Sequence, residues 1–338
     1  MLLHRIVQSA AVGLSLFAAS AFANEIVPAA PLAADAVRSE FAAVYDENTG
    51  TLLYGKNADK PTPIASITKL MTAMVVLDAG QDVDEPITIS KEEVRLTRIA
   101  TMYTPLQPGV TLTRNDLLHL ALMASDNRAA AALAVNYPGG LDAAIEAMNA
   151  KAKLLDMDES HFADPTGLNA ANMASAVDLV KLVRAAHEYP LIREYSTSPQ
   201  YEVTIKNRRR LFFSTNGLVR ASDWDIGLQK TGFIRPAGHC LVMYTQLATG
   251  PVIVVLLDSV GMYTRLVDAA RIRQWLDPDY TPPPGLMRAV ARQPRPKVRH
   301  AITSKPLAKP AANRVISRAD EQPKAASKSH PAATVALQ

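Results

Sequence analysis

Apolar positions change their period twice along the chain, and the changes divide it into three blocks. In the first block, Phe41-Ala42-Ala43-Val44-Tyr45 and Thr51-Leu52-Leu53-Tyr54 flank the turn-forming Asp46-Glu47-Asn48-Thr49-Gly50, which predicts a β-hairpin. The second block is helical. Ile67 to Ala79 carries Leu70, Met71, Met74, Val75 and Leu77 around most of its circumference, so it reads as a buried central helix stopped at Gly80. A short strand at Ile87 to Ile89 and a polar loop from Pro105 to Thr113 follow. Helices are then expected from Asp116 to Met123, over Ala129 to Val135, from Leu141 to Leu155 and from Ser175 to His187, with a turn at Asp164-Pro165-Thr166-Gly167-Leu168. In the third block the period returns to that of strands, at Ile226 to Lys230, His239 to Leu247 and Val252 to Leu257, closed by a helix from Tyr263 to Leu276. Val252 to Leu257 is apolar without alternation, as a strand covered on both faces would be. Strands at both ends with helices between them imply an α/β (α+β) fold: one antiparallel sheet built from both chain ends, flanked by helices, with an inserted helical subdomain.

The two termini differ from this body. Met1-Leu2-Leu3-His4-Arg5, an apolar run to Phe17 and Ala21-Phe22-Ala23 form a secretory signal peptide over residues 1–23, so the protein is expected to be exported. Residues 24–37 are an Ala- and Pro-rich lead-in, and the folded domain is expected over 38–280. From Thr281 to Gln338 a Pro, Ala, Lys and Arg mixture without period predicts a disordered tail. The formal charge of +4 therefore hides an imbalance. The tail holds eleven Lys or Arg against two acids, which leaves residues 24–280 with 24 bases against 30 acids. Such a tail is a solvated spacer or, as the alternative, an electrostatic contact to anionic wall polymer, lipid headgroups or an acidic protein. The single cysteine, Cys240, excludes an intramolecular disulfide and lies in an apolar run as a core filler.

Candidate chemistry begins at Ser66-Ile67-Thr68-Lys69. A serine and a lysine three residues apart share a helix face, so the amine reaches the hydroxyl and a nucleophile with its base is possible if burial lowers the lysine pKa. Alone this pattern is common. It is followed by Ser125-Asp126-Asn127 and then by Lys230-Thr231-Gly232, and the ordered set is specific. Ser125 is placed to relay a proton to a leaving nitrogen, and Asn127 to hold substrate backbone. Lys230 offers a cation and Thr231 a hydroxyl to a substrate carboxylate, and Gly232 leaves room along a strand edge.

At these motifs the chain resembles the low-molecular-weight penicillin-binding proteins, the D-alanyl-D-alanine peptidases of the S11 type. Tyr137-Pro138-Gly139-Gly140, Asp164-Pro165-Thr166-Gly167-Leu168, Lys230-Thr231-Gly232-Phe233 and Ala237-Gly238-His239-Cys240 look most like that family's endopeptidases. The resemblance implies the penicillin-binding, serine β-lactamase-like transpeptidase fold. It implies hydrolysis of D-alanyl cross-links in peptidoglycan through an acyl-enzyme on Ser66, in the periplasm, with an oxyanion hole made by the backbone N–H groups of Ser66 and Phe233. It also implies covalent inhibition by β-lactams, no metal or other cofactor, and no nucleic-acid partner. A D-alanyl-D-alanine carboxypeptidase trimming pentapeptide stems is the alternative. A β-lactamase is less expected, because Glu159 and the Asp164-Pro165-Thr166-Gly167 turn stand where class A enzymes carry the glutamate of the deacylating water. A non-catalytic wall-binding protein would not need the complete serine and lysine set. Arg208-Arg209-Arg210 reads as an exposed hairpin tip, with contact to acidic stem peptides as the alternative.

Overall fold

The computed structural model describes residues 30–33, 35–98, 104–221 and 223–291. The expected signal peptide lies outside them, as does the expected tail beyond Ala291.

In chain order the elements are β1 (Phe41–Asp46), β2 (Thr51–Lys56), β3 (Thr62–Pro63), a single tight turn of helix (Ala65–Ile67) and α1 (Thr68–Asp78). Then come β4 (Pro86–Thr88), α2 (Lys91–Leu96), β5 (Thr111–Thr113), α3 (Arg114–Met123), α4 (Asn127–Val135) and α5 (Gly140–Leu154). They are followed by β6 (Met173–Ala174), α6 (Ala176–His187), α7 (Pro190–Thr197), β7 (Gln200–Ile205) and β8 (Arg208–Phe213). The chain closes with β9 (Asp225–Ile234), β10 (Gly238–Leu247), β11 (Gly250–Ser259), α8 (Thr264–Leu276) and α9 (Pro284–Ala291).

The main sheet has the order β2-β1-β11-β10-β9 with every pairing antiparallel, so the first hairpin and the last three strands form one surface, as the strand pattern at the two ends predicts. Its centre is the unalternating run Val252 to Leu257, wholly buried. Side chains alternate across it. Ala43, Ile253, Val255 and Leu257 join the core shared with α1, α3, α4 and α6, while Ala42, Val44, Val252, Val254 and Leu256 meet Ala269, Ile272 and Leu276 of α8 on the other face. Burial of each of these Val, Ile and Leu side chains contributes roughly 1.5–3 kcal/mol. In α1 all residues but Leu77 and Asp78 are buried, and Gly80 at φ +63° ends the helix. The helical middle hangs on α1.

Four expectations need correction. The folded body starts before residue 38: Val37 is buried, next to Arg38 and Ser39, whose backbone N–H groups donate to Asp268 of α8, and Trp275 donates to the carbonyl of Ala30. The start of the tail is ordered, because Pro284, at a position where its missing N–H costs nothing, opens α9, and Leu286 packs on the α8 side of the sheet. The loop from Pro105 to Thr113 buries Leu106, Val110 and Leu112 and ends as β5 against β4. Elements α2, α7 and the strands of the β7–β8 hairpin go beyond the sequence pattern, which marks only a hairpin tip at Arg208-Arg209-Arg210. Their segments are short, and in β8 the pattern Arg-Arg-Arg-Leu-Phe-Phe has no alternation to read. The three arginines lie beside the hairpin turn Lys206-Asn207, exposed as expected.

Candidate active site

Ser66 is held by two glycines on neighbouring segments. It sits in the tight turn before α1, after Ala65 in the left-handed region at φ +48°. Gly232 of β9 passes so close that a Cβ there would lie 3.0 Å from Ser66 N. On another side is Gly167 at φ +80°, where a Cβ would lie 1.9 Å from the Ala65 carbonyl oxygen. Only residues without a side chain permit both approaches.

Gly167 belongs to a loop organised by Asp164. One of its carboxylate oxygens accepts from the N–H groups of Thr166 and Gly167 and the other from that of Asn169, while Asn172 donates to the Asp164 carbonyl and to Thr68 Oγ1. The outcome is a fixed Thr166 carbonyl aimed at Lys69 Nζ, 2.6 Å away.

Lys69 is buried, and its Nζ has two further partners, Ser66 Oγ at 2.8 Å and Asn127 Oδ1 at 2.7 Å. Burial pushes its pKa down to about 7, opposed by the carboxylates of Asp164 and Asp126. A neutral amine has two N–H donors and one lone pair. The Thr166 carbonyl and Asn127 Oδ1 accept only, so they take the donors and leave the lone pair to the Ser66 hydroxyl, the arrangement a general base requires. Asn127 keeps its amide N–H groups for a ligand.

The other motifs converge on the same place. Ser125 adopts φ +57° between α3 and α4, and Asp126, not Ser125, caps α4 by accepting from the N–H of Ala129. Ser125 Oγ thereby meets Lys230 Nζ at 2.8 Å. Lys230, buried in the middle of β9, also donates to the Thr231 carbonyl at 2.9 Å. Burial and the neighbouring Lys69 and Arg265 hold its pKa well below the usual lysine range, so its charge is strongest when an anion is bound beside it. Thr231 Oγ1 lies 2.5 Å from Thr215 Oγ1, which ties the sheet edge to the segment after β8.

Three contributors escaped the sequence reading. Thr166 acts through its backbone, and only the Asp-Pro-Thr-Gly turn signalled the loop. Thr215 stands outside any motif. Arg265 of α8 runs under β9, contacts the Gly232 carbonyl at 3.4 Å and donates to His239 Nδ1 at 3.0 Å. His239 is kept neutral, its pKa pushed to about 4 by burial and by Arg265, and Phe233 stacks on it while remaining 54% exposed. Glu159 is exposed on the turn before α6, and from the 164–172 loop it is the Thr166 carbonyl, not a carboxylate, that faces Lys69. Among the described residues no group of three His, Cys, Asp or Glu could hold a metal ion. Beside Ser125 a cleft of about 200 Å³ opens, lined in part by Asn127, Arg98, Arg128 and Phe212.

The peptidase S11 family, described as D-alanyl-D-alanine carboxypeptidase, matches residues 27–261. A D-alanyl-D-alanine endopeptidase of Pseudomonas aeruginosa is 44% identical over 278 residues, 81% of this chain and 89% of that protein. One from Escherichia coli is 43% identical, covering 78% of this chain and 86% of that protein. The crystal structure of the Streptomyces K15 DD-transpeptidase superposes with a TM-score of 0.67 at 28% identity, over 71% of this chain and 97% of that one.

Proposed function

The chain belongs to the peptidase S11 family, and from that premise we propose that it is a serine D-alanyl-D-alanine endopeptidase that hydrolyses D-alanyl cross-links of peptidoglycan in the periplasm. The observation that carries the reading is Lys69 Nζ, bonded to two acceptors and 2.8 Å from Ser66 Oγ.

In this mechanism Ser66 Oγ bonds to the D-alanyl carbonyl carbon as its proton passes to Lys69. The oxyanion lies against the N–H groups of Ser66, at its helix start, and of Phe233, past the glycine that admits the substrate. The C–N bond then breaks as Ser125 gives its proton to the leaving nitrogen and takes up the one that Lys69 removed from Ser66, which leaves Lys69 neutral again, while Lys230 holds Ser125 in place across their hydrogen bond. A water, deprotonated by Lys69, cleaves the Ser66 ester. Asn127 holds the substrate backbone, and Lys230 with Thr231 meets a substrate carboxylate. A β-lactam presents a strained amide to the same Ser66 and is held as a stable ester. Loss of terminal D-alanine from a pentapeptide stem uses the same steps with a smaller leaving group, and the family's description keeps this second reading in view.

The basic tail is read as a spacer, with anionic wall polymer, lipid headgroups or an acidic protein as the alternative contacts. Among the described residues no helix is long and apolar enough to cross a membrane.

The test is to incubate residues 24–338 with a cross-linked muropeptide dimer and, separately, a pentapeptide monomer, alongside the Ser66→Ala protein, and to follow products by mass spectrometry. Dimer converted to monomers by the parent alone is the expected result. Release of terminal D-alanine only would establish the carboxypeptidase, and no change in either substrate, with no penicillin adduct, would leave a non-catalytic wall-binding protein.

A further inference from the structure

The cleft beside Ser125 has no role in the steps above, yet its position assigns it a side of the reaction. Ser125 delivers the proton to the leaving nitrogen, so the space that opens from Ser125 and Asn127 lies on the leaving-group side of the scissile bond. When D-alanine leaves, that group is small. When a cross-link is cut it is a second stem peptide, which carries a carboxylate beside the released amine and further carboxylates along its length.

The walls of the cleft suit such an anion. Its one acid, Asp126, is already engaged: Oδ1 accepts from the N–H of Ala129 at 3.0 Å, and Oδ2 accepts from Thr104 Oγ1 at 2.6 Å. The cations are less committed. Arg98 is exposed at the rim, and Arg128 spends Nη1 on the Leu106 carbonyl at 2.8 Å while its buried Nε has no hydrogen-bond partner among the described residues. Phe212 closes the cleft from β8. Alternation along that strand puts Arg210 and Arg208 on the same sheet face as Phe212, in register with Val203 and Ile205 of β7. Arg209, on the opposite face, is paired with Glu202, whereas among the described residues neither Arg208 nor Arg210 has an ion-pair partner. A line of positive charge thus leads from the proton donor outward along the hairpin.

We propose that this groove, from the cleft at Ser125 past Arg98 and Arg128 and along the Arg208 and Arg210 face of β8, seats the leaving stem peptide of a cross-link and reads its carboxylates. The inference rests on the endopeptidase reading for its choice of substrate, and it makes the β7–β8 hairpin a determinant of specificity for cross-linked over monomeric stems. Arginine suits the task, because its planar fork binds carboxylates in two-point fashion.

The experiment separates binding from chemistry. The full chain carrying Ser66→Ala is titrated with a fluorescently labelled cross-linked muropeptide dimer, and with the same dimer after amidation of its free carboxylates, and anisotropy is read at low and moderate salt. Arg208→Gln with Arg210→Gln, and separately Arg98→Gln, are expected to weaken binding of the carboxylate dimer by about tenfold, the loss of one or two charge-assisted contacts. Amidation should weaken the parent equally and the variants little. Equal binding by parent and variants, or no effect of amidation, would overturn the groove. Arg128→Gln is added with a check that the Ser66 form still takes up a penicillin, which has no second stem, at the parent rate; a dimer-specific loss supports the groove, and parallel loss of both would reduce Arg128 to a support for the Leu106 loop. If the parent with Ser66 leaves the dimer intact although the Ser66→Ala protein binds it through these arginines, the endopeptidase reading fails and the groove stands. Dimer cleavage with binding indifferent to the arginines sinks the groove alone.

Discussion

Two serine–lysine pairs occupy one site at the same 2.8 Å separation, and they are built in opposite ways. Ser66 and Lys69 are a single helical turn apart, so local geometry brings them together wherever that turn forms. Ser125 and Lys230 are separated by 105 residues, and they meet only because β9 forms the sheet edge facing the α3–α4 junction. Their electrostatics differ as well. Lys69 is opposed by burial but supported by Asp164 and Asp126, which leaves its pKa at about 7, near the value a base needs at neutral pH. Lys230 has burial and two cations against it and no carboxylate in support. The first pair is thus poised to exchange a proton, the second to wait for an anion. Proximity alone does not distinguish them; the neighbouring charges do.

The sharpest way to test that contrast is to remove each amine. Lys69→Met should slow penicillin acylation toward the upper end of the roughly 10²- to 10⁴-fold range of general-base catalysis, read as the rate of covalent adduct formation. Lys230→Met should cost less, about 10- to 100-fold, with part of the loss appearing in KM for a substrate carrying a carboxylate. Similar losses, both confined to kcat, would break the division of labour.

The pH profile tests the same point without mutation. With Lys69 lowered to about 7, its base form grows as pH rises through that value, so acylation should fall about tenfold per unit below pH 7 and level off above it. A profile that instead climbs steadily to pH 10 would mean that Lys69 keeps an ordinary lysine pKa.

Smaller effects come from what frames the first pair. Gly167→Ala places a Cβ on the Ala65 carbonyl oxygen at a backbone φ of +80°, and should destabilise the fold by more than the roughly 1–3 kcal/mol of the backbone strain alone while slowing acylation, measurable by thermal melting and adduct formation. The smallest effect is expected from truncation after Ala291, which spares the docked α9. Turnover of a small substrate should not change, and a large loss would refute the spacer reading of the tail.

Much of the architecture was legible because it rests on pattern. The hairpin of β1 and β2, the buried α1, the doubly covered β11 and the helix α8 all follow from apolar spacing. The segments that did not reveal themselves are those whose order comes from elsewhere. Pro284 to Ala291 is too short a helix to hold without α8 beneath it, and β8 shows no alternation because its three arginines, Leu211 and Phe213 are exposed and only Phe212 is half-buried. At the site, side chains in motifs could be named in advance, whereas the Thr166 carbonyl could not, since a backbone oxygen leaves no mark in composition. Arg265 was equally hidden, one cation among the many that flank helices.

The sequence by itself determined which residues carry hydroxyl, amine and amide at the site, and that Ser66 and Lys69 share a helix face, because covalent spacing and helical period suffice for both. Only the tertiary structure decided that Ser125 faces Lys230, that Gly167 and Gly232 close on Ser66, and that Lys69 is a base rather than a cation. These depend on burial and on charges from segments far apart in the chain, and both exist only once the sheet and the helices have packed.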